Sequence, residues 1–423
     1  MFATVKQIFA PKNTEIRKRI LFTLAVLFVF KLGTAIVIPG VNKSAIDNLG
    51  FLELLNVMGG GALSNVSIFA LGVSPYITAS IIIQLLEMDI VPYLAELSKQ
   101  GGTGRAKLNQ ITRVVGIILA FFQGYMFSFA YIKGHTPSEY MLFSLVLTAG
   151  TCFVMWLADQ ITSKGIGNGT SMIIMAGIVA SMPNMFVRAY AAFTTGSNMG
   201  ILLFILFVVV YLGLIIGIIF IENAERRIPI QYSNKSTGVF SNNQNYIPFK
   251  LNSAGVIPVI FASALVSIPG LIANFINKKG FIDFVEKWLN MSTGTGFVLY
   301  IIFIFAFSYF YTFLQIKPKE MAENLQKNGG YIPGVRPGNE TVIYVTKVLK
   351  NLTVVGALGL AFIAALPILF ALITKLDRSI SVGGTSILIV IGVCLETYKQ
   401  LESKLVERTY RKGRRRKWEV LFL

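Results

Sequence analysis

One histidine and two cysteines are all the soft-metal and thiol chemistry that these 423 residues offer. His135 lies in a short connection, and Cys152 and Cys394 lie inside apolar runs. Neither a transition-metal site nor a disulfide framework is expected, so no metal ligand is assigned. Charge is scarce too. Charged residues make up 14% of the chain, where a soluble protein carries about 25%. Acidic groups are the rarer sign, at 20 Asp and Glu against 38 Lys and Arg. Glu87, Asp159 and Glu396 each stand near the end of an apolar run, and only Lys31 stands clearly within one, toward its outer end, from where it can snorkel. Carboxylates at mid-depth are what an ion-coupled secondary transporter needs, and that class is the alternative reading. An intramembrane enzyme needs a nucleophile with a base, or a metal set, and a lone loop histidine supplies neither. No Gly-x-x-x-x-Gly-Lys-Ser/Thr string occurs, so a nucleotide-driven motor is not expected within this chain. Catalytic residues and cofactors are accordingly set at none.

Apolar residues, by contrast, make up 54% of the chain. Ten stretches approach the roughly 20 apolar residues that cross a bilayer: 20–38, 70–91, 114–132, 140–157, 170–187, 199–221, 254–277, 296–316, 352–374 and 383–397. The second and tenth are interrupted or short. A signal peptide competes for the first, but no small-residue cleavage site follows it, and it is kept as a mature span. The expected class is an all-α polytopic membrane protein.

The net charge of +18 could suggest a nucleic-acid partner, yet its distribution has another explanation. With the first residue inside, 29 of the 38 basic residues fall in inside segments and 8 in outside loops, Lys31 being the remaining one. That bias places both termini in the cytoplasm, and no specific DNA partner is expected. Each half then holds five spans. An odd number inverts the second half relative to the first.

The halves also repeat a string. Gly72-Val73-Ser74-Pro75-Tyr76-Ile77-Thr78-Ala79-Ser80 returns as Gly255-Val256-Ile257-Pro258-Val259-Ile260-Phe261-Ala262-Ser263, and Gly169-Thr170-Ser171-Met172-Ile173-Ile174 returns as Gly384-Thr385-Ser386-Ile387-Leu388-Ile389. Gly- or Pro-broken spans at corresponding places in two inverted halves mark a pathway between the halves. The halves are set at 1–190 and 191–423. Inversion makes Ile77 with Ile260, and Ile174 with Ile389, mid-depth pairs. Ordinary helix packing is the competing reading of isolated apolar residues. An apolar ring can close a pore by staying unwetted, and it can yield around a varied cargo.

Ahead of the second span lies the segment Asn56 to Phe69, with Gly59, Gly60, Gly61, Ala62, Leu63, Ser64 and Asn65 within it. It is too short and glycine-rich to cross. A short helix over Ala62–Phe69, re-entrant from the outer side, would make it a stopper, and a plain surface loop is the other reading. Two inside loops, 222–253 and 317–351, exceed the usual connection length. They carry Arg226, Arg227 and Arg336, the last between Pro and Gly on a stiff tip. Such loops suit a partner with acidic or phosphate surface, or anionic lipid. The tail Arg414-Arg415-Arg416-Lys417 reads as lipid-facing or solvated.

At these residues the chain resembles the SecY family nearly end to end. The strings that carry the resemblance are Gly60-Gly61-Ala62-Leu63-Ser64, Pro75-Tyr76-Ile77-Thr78-Ala79-Ser80, Gly165-Ile166-Gly167-Asn168-Gly169, Ala254-Gly255-Val256-Ile257-Pro258, Tyr331-Ile332-Pro333-Gly334-Val335-Arg336-Pro337-Gly338 and Gly383-Gly384-Thr385-Ser386. The resemblance implies a protein-conducting channel in a bacterial cytoplasmic membrane, built as a ten-span clamshell of two inverted halves. It would pass unfolded polypeptides bearing signal peptides and release apolar helices sideways into lipid. It implies a pore ring of Val73, Ile77, Thr170, Ile174, Ile260 and Ile389, a plug over 56–69, and a lateral gate lined by Gln84 and Ser263. The implied partners are the SecE and SecG subunits and a SecA motor or a ribosome on the loops, with Arg336 central. Three departures stand out: a hydroxyl at Thr170, an uncharged loop tip at Ser241-Asn242-Asn243-Gln244-Asn245, and Asp159 where many relatives have Glu.

Overall fold

The computed structural model describes residues 13–39, 56–57, 59–88, 90–131, 136–194, 200–232, 245–276, 279–289, 293–374 and 386–405. His135, the loop tip 233–244, Gly383-Gly384-Thr385 and the basic tail after residue 405 lie outside the described residues.

Hydrophobic runs become helices here because a bilayer leaves the backbone no partner but itself. In chain order the elements are α1 (Thr14–Gly33), α2 (Ser74–Glu87), α3 (Pro92–Lys99), α4 (Gly102–Tyr131), α5 (Pro137–Lys164), α6 (Gly169–Thr194) and α7 (Gly200–Asn223). Strands β1 (Glu225–Tyr232) and β2 (Asn245–Lys250) follow, then α8 (Ile257–Ile276), α9 (Lys279–Trp288), α10 (Gly294–Gln315), α11 (Pro318–Lys327), β3 (Gly330–Tyr331) and α12 (Asn339–Thr374). A last helix, α13, covers 386–405. Each of the ten expected spans therefore carries a helix. Among the described residues, six of these are long and apolar enough to cross a membrane on their own. Among the others, α1 opens on Glu15, Arg17, Lys18 and Arg19, and α2 bends by 93° into α3.

Local chemistry sets the helix ends. Pro137 opens α5, Glu139 lies in its first turn and Lys164 in its last, each charge matching the helix dipole. The Thr293 hydroxyl caps α10 by accepting from the Gly296 N–H at 3.4 Å. Pro183, Pro269 and Pro367 sit inside α6, α8 and α12, which membrane helices tolerate.

The chain divides into two compact units. The first comprises Met1–Arg188, Ser267–Asp283 and Val393–Leu423. Its best-packed pair is α4 with α5, where the Ser144 hydroxyl donates to the Phe121 carbonyl at 2.6 Å beside Gly124. Small residues let two helices approach this closely. Ile38, Leu63, Val66, Leu71, Ala120, Phe127, Phe143 and Leu147 form one buried cluster of this unit.

The second unit comprises Ala189–Val266 and Phe284–Gly392. It adds a feature to the helical class. The described parts of the two long loops, 222–253 and 317–351, are folded. A three-stranded sheet runs in the order β2-β1-β3, antiparallel throughout, with Arg226 opposite Phe249 and Gln231 opposite Tyr331. Ile228, Phe249, Ile332, Val345, Val348 and Leu349 are buried under it. Alternation of Ile228 and Ile230 with exposed neighbours is the strand period of two.

Candidate functional site

Four helix starts carry the six candidate ring residues. Val73 is the N-cap of α2 and Ile77 lies one turn on, its N–H bonded to the Val73 carbonyl at 3.1 Å. Thr170 and Ile174 occupy the first two turns of α6, Ile260 the first turn of α8 and Ile389 the first turn of α13. The aliphatic five are buried. The repeated glycine has a structural counterpart: Gly72 and Gly255 are both left-handed, at φ 54° and 64°. A side chain with a Cβ resists that turn, so the same local bend precedes Ile77 and Ile260.

Two asparagines hold such starts in place. Asn168 Oδ1 accepts from the Thr170 N–H at 3.1 Å and from the Thr170 hydroxyl at 2.7 Å. Asn252 Nδ2 donates to Glu222 Oε1 at 2.6 Å and to the Gly255 carbonyl at 2.9 Å. Neither asparagine is legible as functional from composition; a polar residue just ahead of a Gly-led helix is the only signal.

The stopper segment departs from expectation. No helix covers Ala62–Phe69; residues 59–73 form successive turns and one β-bridge, Val37 to Ser67. The backbone is engaged elsewhere: the Ile38 N–H donates to the Val66 carbonyl at 3.0 Å, and the Ile68 N–H to the Ile36 carbonyl at 3.1 Å. Val66 sits at φ 46°, a left-handed conformation costing a residue with a Cβ about 1–2 kcal/mol. Asn56 Oδ1 accepts from the Ser64 N–H at 2.9 Å and stitches the segment's start to its middle.

The segment is packed, not draped. Ala62, Leu63, Val66 and Ser67 are almost wholly buried. Phe69 stacks between Phe30 of α1 and Phe153 of α5, at 6.1 and 5.8 Å between ring centroids. A Cβ on Gly33 would strike the Phe69 ring, and one on Gly150 the Ile68 carbonyl. Gly60 would put a Cβ 3.0 Å from the Gly177 Cα. Gly177 is three residues beyond Ile174, so the glycine turn packs about one turn further along α6 than a candidate ring residue. A Cβ on Gly72 would lie 4.0 Å from the Gly59 Cα, an ordinary contact. Lys31 is also engaged: its ammonium donates to the Gly60 carbonyl at 3.0 Å.

The candidate gate residues are placed separately. Gln84 Nε2 donates to Ser80 Oγ at 3.1 Å within α2, while its Oε1 is buried without a partner. The buried Ser263 hydroxyl donates to the Ile260 carbonyl at 2.7 Å. Of the docking candidates, Arg226 and Arg227 are exposed neighbours on β1. Arg227 pairs with Glu225 at 2.7 Å and lies 4.8 Å from the centre of the Tyr246 ring. The bond to Glu225, with help from Tyr246, raises the Arg227 pKa from its ordinary value. Arg336 is exposed between Gly334 and Gly338, both left-handed, and its carbonyl accepts from the Thr341 hydroxyl at 2.9 Å. Asp159 is in an ion pair with Arg113 at 2.8 Å, between α5 and α4.

Comparison with known proteins places this arrangement. The SecY family model matches residues 67–398. A protein translocase subunit SecY of Staphylococcus carnosus is 47% identical over 427 aligned positions, covering 97% of this chain and 99% of that protein. A solved SecY structure, described for a plug domain that stabilises the closed state of the translocation channel, matches with a TM-score of 0.64 at 19% identity, covering 92% of this chain and 93% of that one. Sec61 in the canine ribosome-channel complex from the endoplasmic reticulum matches with a TM-score of 0.65 at 18% identity, again over 92% and 93%.

Proposed function

The chain belongs to the SecY family of protein translocase subunits, and on that premise we propose that its glycine-led helix starts form the lips of the channel. As a family member it is a multi-pass membrane protein and the protein-conducting subunit of a translocase. Val73, Ile77, Thr170, Ile174, Ile260 and Ile389 make the ring. The observation that carries this reading is the matched left-handed glycine: Gly72 and Gly255 give Ile77 and Ile260 the same place in two local frames. Two inverted halves, 1–190 and 191–423, then bring them to mid-depth. An aliphatic ring binds no ion and closes by remaining dry, yet yields to an unfolded chain of any sequence. The ion-coupled alternative gains nothing, since Lys31 is held by a carbonyl and Asp159 by Arg113.

The stopper over 56–69 closes the outer side, and Gln84 and Ser263 line the sideways exit into lipid. The three-stranded sheet with Arg226, Arg227 and Arg336 faces the cytoplasm and docks a ribosome or a SecA motor, which supplies the energy. A ribosome partner has support in the Sec61 channel of the same fold, which is described in a ribosome-channel complex. SecE clamps the two halves and SecG binds at the periphery, in a bacterial cytoplasmic membrane with both termini inside. The chain itself performs no catalytic step.

Cysteines placed at Ile77 or Ile260, with another in an exported substrate, test the ring. Crosslinks to both positions during export are expected. Crosslinks only at lipid-facing control positions would overturn the assignment.

A further inference from the structure

We propose that Lys31 is a positioning residue that latches the stopper against backbone strain at Val66; the proposal rests on reading 56–69 as the stopper. A cation at membrane depth needs a partner, because leaving it bare in hydrocarbon is costly. Lys31 stands two residues before the end of α1 and finds the Gly60 carbonyl at 3.0 Å. That carbonyl is presented by a glycine at φ 71°, in a turn that packs against Gly177. The bond thus reaches the part of the stopper nearest Ile174, whereas Phe69 and the Val37–Ser67 bridge hold its other end.

Val66 acts in the opposite direction. It is a β-branched residue in the left-handed region, and it is the one non-glycine residue with positive φ among the described residues. Its strain persists only while Leu63, the bridge and the latch hold the seated conformation, and it is relieved when the segment leaves. The seated state is therefore a balance. A charged hydrogen bond favours it and a strained residue opposes it, so a chain entering the pore has only part of the seating energy to overcome. No single contact needs to be strong, and release stays reversible.

The test is basal ion leak from vesicles that hold the full channel complex. Lys31→Met keeps the arm and removes the donor. It should raise leak about ten-fold, equivalent to about 1.4 kcal/mol. Lys31→Arg should stay within about two-fold of the parent. Val66→Ala and Val66→Gly both lose the buried side chain, but only glycine removes the left-handed strain, so Val66→Gly should leak less than Val66→Ala, alone and combined with Lys31→Met. A second route covers a Met variant that fails to insert. Lys31→Cys, made with Cys152→Ala and Cys394→Ala, should leak until 2-bromoethylamine converts the thiol to an aminoethyl arm that restores the ammonium. Unchanged leak in Lys31→Met, or in Lys31→Cys before and after alkylation, overturns the latch if deletion of 59–66 still raises leak. No rise on that deletion overturns the stopper reading itself. Leak in Val66→Gly equal to or above that of Val66→Ala overturns the strain half of the balance.

Discussion

Small groups decide how the site is held. Asn168 and Asn252 fix the starts of α6 and α8, and Gly72 and Gly255 set the bends before Ile77 and Ile260. The ring residues themselves carry no polar chemistry apart from Thr170, whose hydroxyl already serves Asn168. In the proposed ring that bond keeps the hydroxyl proton directed to Asn168 and away from the pore. A polar group on a buried aliphatic position should act differently. Ile389→Asn adds an amide where the side chain is buried, which invites water into the ring and favours the open state. Export of substrates with weak signal sequences is expected to rise several-fold in cells carrying it. Unchanged export would separate Ile389 from gating.

Elements show where local sequence suffices and where it does not. The ten helices follow the apolar runs because both hydrophobicity and the helical hydrogen bond are local. The stopper did not follow its own pattern. Ala62–Phe69 has the composition of a short helix, yet Ile36 and Ile38, about thirty residues earlier, take two of its backbone groups. The loop 222–253 likewise has no strand signature strong enough to separate it from a basic tether; its strands exist because β1 meets β2 and β3 over a shared apolar layer. The junction between α7 and α8 depends on one amide. Asn252 and Glu222 are both buried, and Asn252 joins that carboxyl to the Gly255 turn. Asn252→Leu should lower stability by about 2 kcal/mol, read as a reduced Tm of the detergent-purified complex. Channel activity should fall with it, because Ile260 loses its support.

At the scale of the whole molecule, the proposed function needs a partner to supply work. In that proposal the chain's own contribution is a gate and a landing face. The sheet offers Arg226, and Arg227 held by Glu225 and Tyr246, while Gly334 and Gly338 hold Arg336 on a firm turn. Arg336→Glu reverses the charge without disturbing a buried group, since the side chain is exposed. Membrane insertion of the channel should be normal and motor-driven export reduced at least ten-fold in reconstituted vesicles. Full export by the variant would remove Arg336 from docking.

By itself the sequence determined the place of the helical spans, the uneven distribution of positive charge and the paired Gly-Val-x-Pro starts, because hydrophobicity, charge and helix breaking act within a few residues. It also carried the family resemblance, which the relative at 47% identity bears out. Only the tertiary structure decided the rest: that Lys31 reaches Gly60, that Gly33 and Gly150 make room for Phe69 and Ile68, that Glu222 meets Asn252 across thirty residues, and that basic loops fold as a sheet. Each of these joins groups far apart in the chain, and their value depends on a distance of a few ångströms that no local pattern encodes.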